Sequence, residues 1–174
     1  WPSEEADMIQ SIERVLQLGG CKFVLNSPWQ IAFFDKTAKL TLWAGPFCNL
    51  ANALSLEHVA ELGFTGAVVS PEIGKEDFLS LPRYSSIPLG VVSSGNWPLT
   101  ISRYVADEIK LNQPFASTRG EQAWVSQYGG NYWVFPNWTI DLTTHLNRLR
   151  VAGYKMFVHL KEPLPRSVKM KKRP

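Results

Sequence analysis

The sequence predicts an α/β fold of parallel βαβ units, a partial or complete TIM-like (β/α) barrel in a single domain of 174 residues. Short apolar strand segments alternate with helical segments at intervals of roughly 22 to 26 residues. "GAVVS" (66–70) is a continuous apolar run, as a strand covered on both faces requires. Right-handed crossovers leave an open doubly wound sheet or part of a barrel. No glycine-rich dinucleotide or phosphate fingerprint supports the open sheet. About five or six core strands are countable against the eight of a closed barrel, so that reading needs a further N-terminal part. The chain starts on Trp1 and stops at Lys172-Arg173-Pro174, and a fragment of a longer polypeptide is expected.

The elements follow in order. Ser3 can cap a first helix whose Met8, Ile9, Ile12, Val15, Leu16 and Leu18 keep the spacing of one buried face, ended by Gly19-Gly20. "CKFVL" predicts a strand broken by Asn26-Ser27-Pro28. "IAFF" (31–34) and "KLTLWA" (39–44) predict two more around an Asp35-Lys36 turn. Leu50, Ala53, Leu54, Leu56, Val59, Ala60 and Leu62 suit a helix closed by Gly63. After "GAVVS", Ser70-Pro71 is a cap and first-turn pair for a short helix through Phe78 and Leu79. "IPLGVVSS" (87–94) is the next strand, and 95–121 is rich in loops. "QAWVSQYGGNYWVFP" predicts a hairpin turning at Gly129-Gly130-Asn131. Asp141 caps a helix carrying Leu142, Leu146, Leu149 and Ala152, Gly153 ends it, and "YKMFVHL" is the last strand.

Composition narrows the function classes. With 45% apolar residues and seven tryptophans the chain can bury a core. The net charge of +3 is too small to argue for nucleic acid by itself. Much of the excess lies in a basic tail (164–174) holding Arg166, Lys169, Lys171, Lys172 and Arg173, expected to be solvated. Cys21 and Cys48 make neither a disulfide framework nor a CxxC site, which fits a reducing, cytoplasmic setting. No stretch approaches the roughly 20 apolar residues of a membrane span, and no signal-peptide pattern is present. His58, His145 and His159 lack metal-ligand spacing, so structural roles and no metal site are expected.

In either architecture functional groups collect past the C-terminal ends of the strands. Those positions hold Asn26, Trp29 and Gln30; Asn49 and Asn52; Ser70 and Glu72; Asn96, Trp97 and Arg103; Asn137 and Asp141; and Glu162. The set is rich in amides and carboxylates, suited to a polar or anionic ligand, and poor in nucleophile–base pairs. Asn49 and Asp141 serve equally as helix caps, and Glu72 as a complement to a helix dipole. Arg103 could equally form a structural ion pair, and Cys48 suits a small buried hydrophobe better than a nucleophile. Trp124, Trp133 and Trp138 are core candidates that, if exposed, would stack on bases or rings.

"CNLANALSLEHVAELGFTGAVVSPEI" (48–73) resembles the peptidase U32 family, the collagenase-like proteases. "IPLGVVSSGNWPLTISRY" (87–104) resembles that family's next element, and "LNRLRVAGYKMFVHL" (146–160) its closing helix and strand. The similarity covers residues 20 to 105 best and weakens through "PFASTRGEQAWV". The resemblance implies a TIM-like catalytic region in a cytoplasmic bacterial or archaeal protein, named a peptidase. Other branches of the family are accessory factors for hydroxylation of RNA bases or of the ubiquinone ring, some holding an iron–sulfur cluster on four cysteines. Here Gly95 is followed by Asn96-Trp97-Pro98-Leu99 and Arg103 by Tyr104, where family members carry cysteines. Two thiolates cannot supply four ligands, so no iron–sulfur cluster, and no other cofactor, is expected from this chain alone.

The resulting expectation is a U32-like peptidase whose Asn26, Asn49, Asn52, Ser70 and Arg103 bind a peptide or other polar substrate. Glu72 is the candidate general acid or base, and Arg103 the anion clamp. The alternative is a non-proteolytic U32-like accessory factor for RNA or quinone modification, or a non-catalytic module binding RNA or a protein partner, which the missing cysteines and basic tail favour. Exposed strand edges of a partial barrel would allow pairing into a homo-oligomer.

Overall fold

The computed structural model describes residues 4–35 and 39–171. The expected Ser3 cap, the Lys36 half of the Asp35-Lys36 turn, and Lys172 and Arg173 of the tail lie outside the described residues. The chain runs α1 (Glu5–Gln17), β1 (Lys22–Leu25), β2 (Thr41–Ala44), α2 (Ala53–Leu62), β3 (Gly66–Val68), α3 (Lys75–Ser80) and β4 (Leu89–Gly95). It continues through β5 (Thr100–Ser102), β6 (Phe115–Ala116), β7 (Gln122–Tyr128), β8 (Asn131–Pro136), β9 (Ile140–Asp141), α4 (Leu146–Ala152) and β10 (Met156–Leu160). One sheet has the order β1-β2-β3-β4-β10, with β9 against the end of β4, and a second has the order β5-β8-β7-β6. The five strands of the first path are parallel, so the fold is the expected α/β class of βαβ units. Among the described residues no helix is long and apolar enough to cross a membrane.

Two compact units divide the chain. The first comprises Trp1–Val91 and Asn147–Phe157. Its register aligns Leu25 with Ala44, Ala44 with Ala67, and Val68 with Gly90. All three residues of β3 are buried, as a continuous apolar strand demands. Leu56 and Val59 on α2 and Leu149 on α4 complete this core. Trp43 on β2 lies over two glycines. A Cβ at Gly66 would sit 2.6 Å from Trp43 Cδ2, and one at Gly90 3.2 Å from Cζ3, so both positions leave room for the indole. Tyr154 stacks on Phe78 at 5.2 Å and donates its hydroxyl to the Phe78 carbonyl at 2.7 Å, fastening α3.

Several local expectations are corrected here. "IAFF" is not a strand. Residues Pro28–Phe33 form a 3-10 helix, opened by Ser27 and Gln30 in a capping box, with Pro28 supplying a preset φ. Ser70-Pro71 does not start α3, which begins after Gly74. The α2 cap is Asn52 and not Asn49: Asn52 Oδ1 accepts from Ser55 N at 2.9 Å, and Gly63 closes the helix at φ 106°. The apolar face of α1 contributes no buried residue, and Leu18 is 81% exposed.

The second unit comprises Val92–Leu146 and Val158–Pro174. β7 and β8 form the expected hairpin, with Tyr128 opposite Asn131 across Gly129-Gly130. The register sets Trp124 opposite Phe135, and their rings stack at 5.4 Å. Trp133, two residues before Phe135 on β8, joins the same face. Val168 and Met170 pack onto this cluster, and Val168 is only 6% exposed. Ser167 Oγ donates to the Asn112 carbonyl at 3.0 Å, and Lys171 N to the Asn137 carbonyl at 2.6 Å. As far as Lys171 the segment is therefore docked on the antiparallel sheet through Val168 and Met170, while Arg166, Lys169 and Lys171 are exposed, as expected of a solvated basic tail.

Candidate functional site

In the first unit the parallel register brings the ends of β1, β2 and β3 to one sheet edge. Asn26 follows β1 and is exposed, its side-chain oxygen lying against Gly45, where a Cβ would leave it no room. Beyond β2, residues Pro46–Cys48 form a 3-10 turn that Asn49 ends in the left-handed region at φ 52°. Asparagine tolerates this conformation better than most non-glycine residues. Cys48 Sγ donates to the Leu25 carbonyl at 3.3 Å, and burial pushes its thiol up to about 11. It is a packed thiol and no nucleophile near neutral pH.

A parallel bridge between Leu50 and Val69, with Ser70 N donating to the Leu50 carbonyl at 2.9 Å, sets the Asn49–Asn52 loop beside the end of β3. Ser70 is fully buried, and its Oγ accepts from Glu72 N at 3.3 Å, closing a tight turn. Glu72 itself is exposed. The structure thus gathers Asn49, Asn52, Ser70 and Glu72, and sets Asn26 beside the glycine that opens the same loop. Arg103 lies in the second unit, just past β5, and is exposed.

The second unit holds the other expected polar positions. Trp97 is buried. Asn96 carries a buried side-chain amide nitrogen with no acceptor among the described residues. Asp141 Oδ1 accepts from Thr143 N at 3.0 Å and from Thr143 Oγ1 at 2.6 Å, opening the 3-10 turn before α4. These bonds to the charged form hold its carboxyl below the usual aspartate value. Glu162 accepts a short hydrogen bond from the Tyr128 hydroxyl, which raises the phenol above its ordinary value. Asn137 lines a groove of about 900 Å³ with Phe115, Arg119, Gln122, Trp138 and Lys171.

One arrangement escapes sequence reasoning. Ser94 Oγ and His159 Nδ1 lie 2.6 Å apart at the C-terminal ends of β4 and β10. They are separated by 65 residues and meet only because those strands are neighbours. The sequence signal was confined to both residues falling near the ends of predicted strands. Among the described residues no group of three or more histidine, cysteine, aspartate or glutamate side chains is placed to hold a metal ion.

Comparisons with protein-family models, with curated proteins and with solved structures found no match to this chain.

Proposed function

We propose that the chain is a U32-like protein of peptidase type, acting on a peptide or related polar substrate. The observation that carries this reading is the clustering of Asn49, Asn52, Ser70 and Glu72 at the C-terminal edge of a parallel β/α sheet, where such folds place their chemistry. It is supported by the resemblance of 48–73 and 87–104 to that family. In this reading exposed Glu72 is the general acid or base. Asn26, Asn49 and Asn52 supply amide contacts; the Asn52 oxygen is committed to capping α2, which leaves its N–H2 for a ligand. Ser70 shapes the turn that presents Glu72. Cleavage of a fluorogenic peptide library should fall about a hundredfold or more in Glu72→Gln. Undiminished cleavage by that variant sinks the assignment.

A second reading, a module that binds single-stranded RNA, is favoured by one feature. The groove of the second unit combines the rings of Phe115 and Trp138 with the cations of Arg119 and Lys171. Aromatic stacking plus backbone neutralisation is how single strands are held without sequence preference. Oligonucleotide binding should weaken steeply with salt and drop further in Lys171→Gln. Absence of binding at low salt removes this reading.

A further inference from the structure

We infer that Ser94 and His159 form a nucleophile–base pair able to transfer acyl groups from small, activated esters. The pair stands on the strand ends of the second unit and is independent of the peptidase reading, which rests on Glu72.

The backbone on either side of the pair fixes its geometry. One residue before it, buried Ser93 donates Oγ to the Val158 carbonyl at 3.0 Å, locking β4 to β10. One residue after it, Gly95 at φ 113° lies so close to the Leu160 carbonyl that no Cβ fits between them. β9 closes on the same end of β4, with Asp141 opposite Ser94 and Leu142 N donating to the Ser93 carbonyl at 2.8 Å. Between these clamps Ser94 and His159 have little freedom to separate, which is the preorganisation that a nucleophile and its base require. Ser94 is half-buried and His159 exposed, so the pair is reachable from solvent and its hydrogen bond satisfies no buried group.

The chemistry needs the histidine tautomer with its proton on Nε2 and a lone pair on Nδ1. Nδ1 takes the hydroxyl proton as Oγ adds to the ester carbonyl. The bond to the leaving alkoxide then breaks, and that alkoxide receives the same proton. Water next attacks the acyl-serine, its proton passing to Nδ1 and then to Oγ as the acyl–oxygen bond breaks. The balance is ester plus water to acid plus alcohol, with no further reactant. With Ser94 half-buried and His159 exposed, the pair is assigned to small esters that reach it from solvent.

The test is covalent labelling of the folded protein with a fluorophosphonate probe, with the modified peptide located by mass spectrometry, beside release of p-nitrophenol from p-nitrophenyl acetate. A single adduct on Ser94 is expected, lost in Ser94→Ala and formed about a hundredfold more slowly in His159→Gln. His159→Gln keeps a side chain able to hydrogen-bond Ser94, and circular dichroism checks that it folds. Failure of the wild-type protein to label at Ser94, or an undiminished rate in His159→Gln, overturns the proposal. Labelling at Ser94 and peptide cleavage through Glu72 read different groups, so either can fail while the other stands.

Discussion

Replacing Gly66 by alanine tests the packing that holds β2 to β3. Gly66 pairs with Trp43 in the parallel register, and an added methyl would sit 2.6 Å from Trp43 Cδ2 and Cζ2. Carbon atoms pack at about 3.5 Å or more, and Trp43 Cε2 would lie nearer still to the added methyl, so more than about 0.9 Å must be found. The indole cannot simply lift along the sheet, because its Cζ3 edge already occupies the space above Gly90. Overpacking of this kind costs about 1–3 kcal/mol. Against it stands a gain of about 0.4–1 kcal/mol from restricting the unfolded chain. The net expectation is a loss of about 1–2 kcal/mol, a fall in Tm of roughly 2–8 °C for a chain of this size. Urea denaturation followed by tryptophan fluorescence and a thermal melt read the two quantities. A double-mutant cycle isolates the cause: in a Trp43→Leu background the Gly66→Ala penalty should largely disappear, with a coupling of about 1 kcal/mol or more. Unchanged stability of Gly66→Ala, or an equal penalty in both backgrounds, would refute the slot.

Three further outcomes are expected. With its thiol pushed up to about 11, Cys48 is ionised in roughly one molecule per thousand at pH 8; iodoacetamide should modify exposed Cys21 at least about tenfold faster, and equal rates would contradict the packed-thiol assignment. Asp141 titrates below an ordinary aspartate because Thr143 bonds its charged form, so its contribution to stability is present above the unfolded-state value and lost as pH falls through the lower folded one. Carboxyl NMR should show the midpoint moving back up in Thr143→Ala, and an unmoved midpoint would place the cause elsewhere. Val168→Ala removes the buried residue that docks the C-terminal segment; a loss of about 1–3 kcal/mol and faster tryptic cleavage after Arg166 and Lys169 are expected, whereas an unaltered digest would show that the backbone bonds of Ser167 and Lys171 suffice.

Elements with local punctuation were readable in advance. α2 has apolar residues at helical spacing and a glycine at its end, and the β7–β8 hairpin has two glycines between alternating runs. The errors fell where one pattern serves two structures. "IAFF" is as apolar as a strand, yet Ser27, Pro28 and Gln30 just before it already spell a capped helical turn. Ser70 next to Pro71 has the composition of a helix cap, but its hydroxyl closes a turn with Glu72 and the helix waits until Lys75. For the candidate site, the amides and carboxylate past β2 and β3 were legible because strand ends can be counted.

The α/β class of parallel βαβ units and the polar loops past the strand ends follow from the sequence, because periodicity and turn chemistry act over a few residues. Other features rest on contacts between residues far apart in the chain: the β4–β10 register that joins Ser94 to His159, the seat of Val168 on Trp124 and Phe135, and the burial that silences Cys48. Their energies reside in packing and desolvation, which no short window of sequence contains.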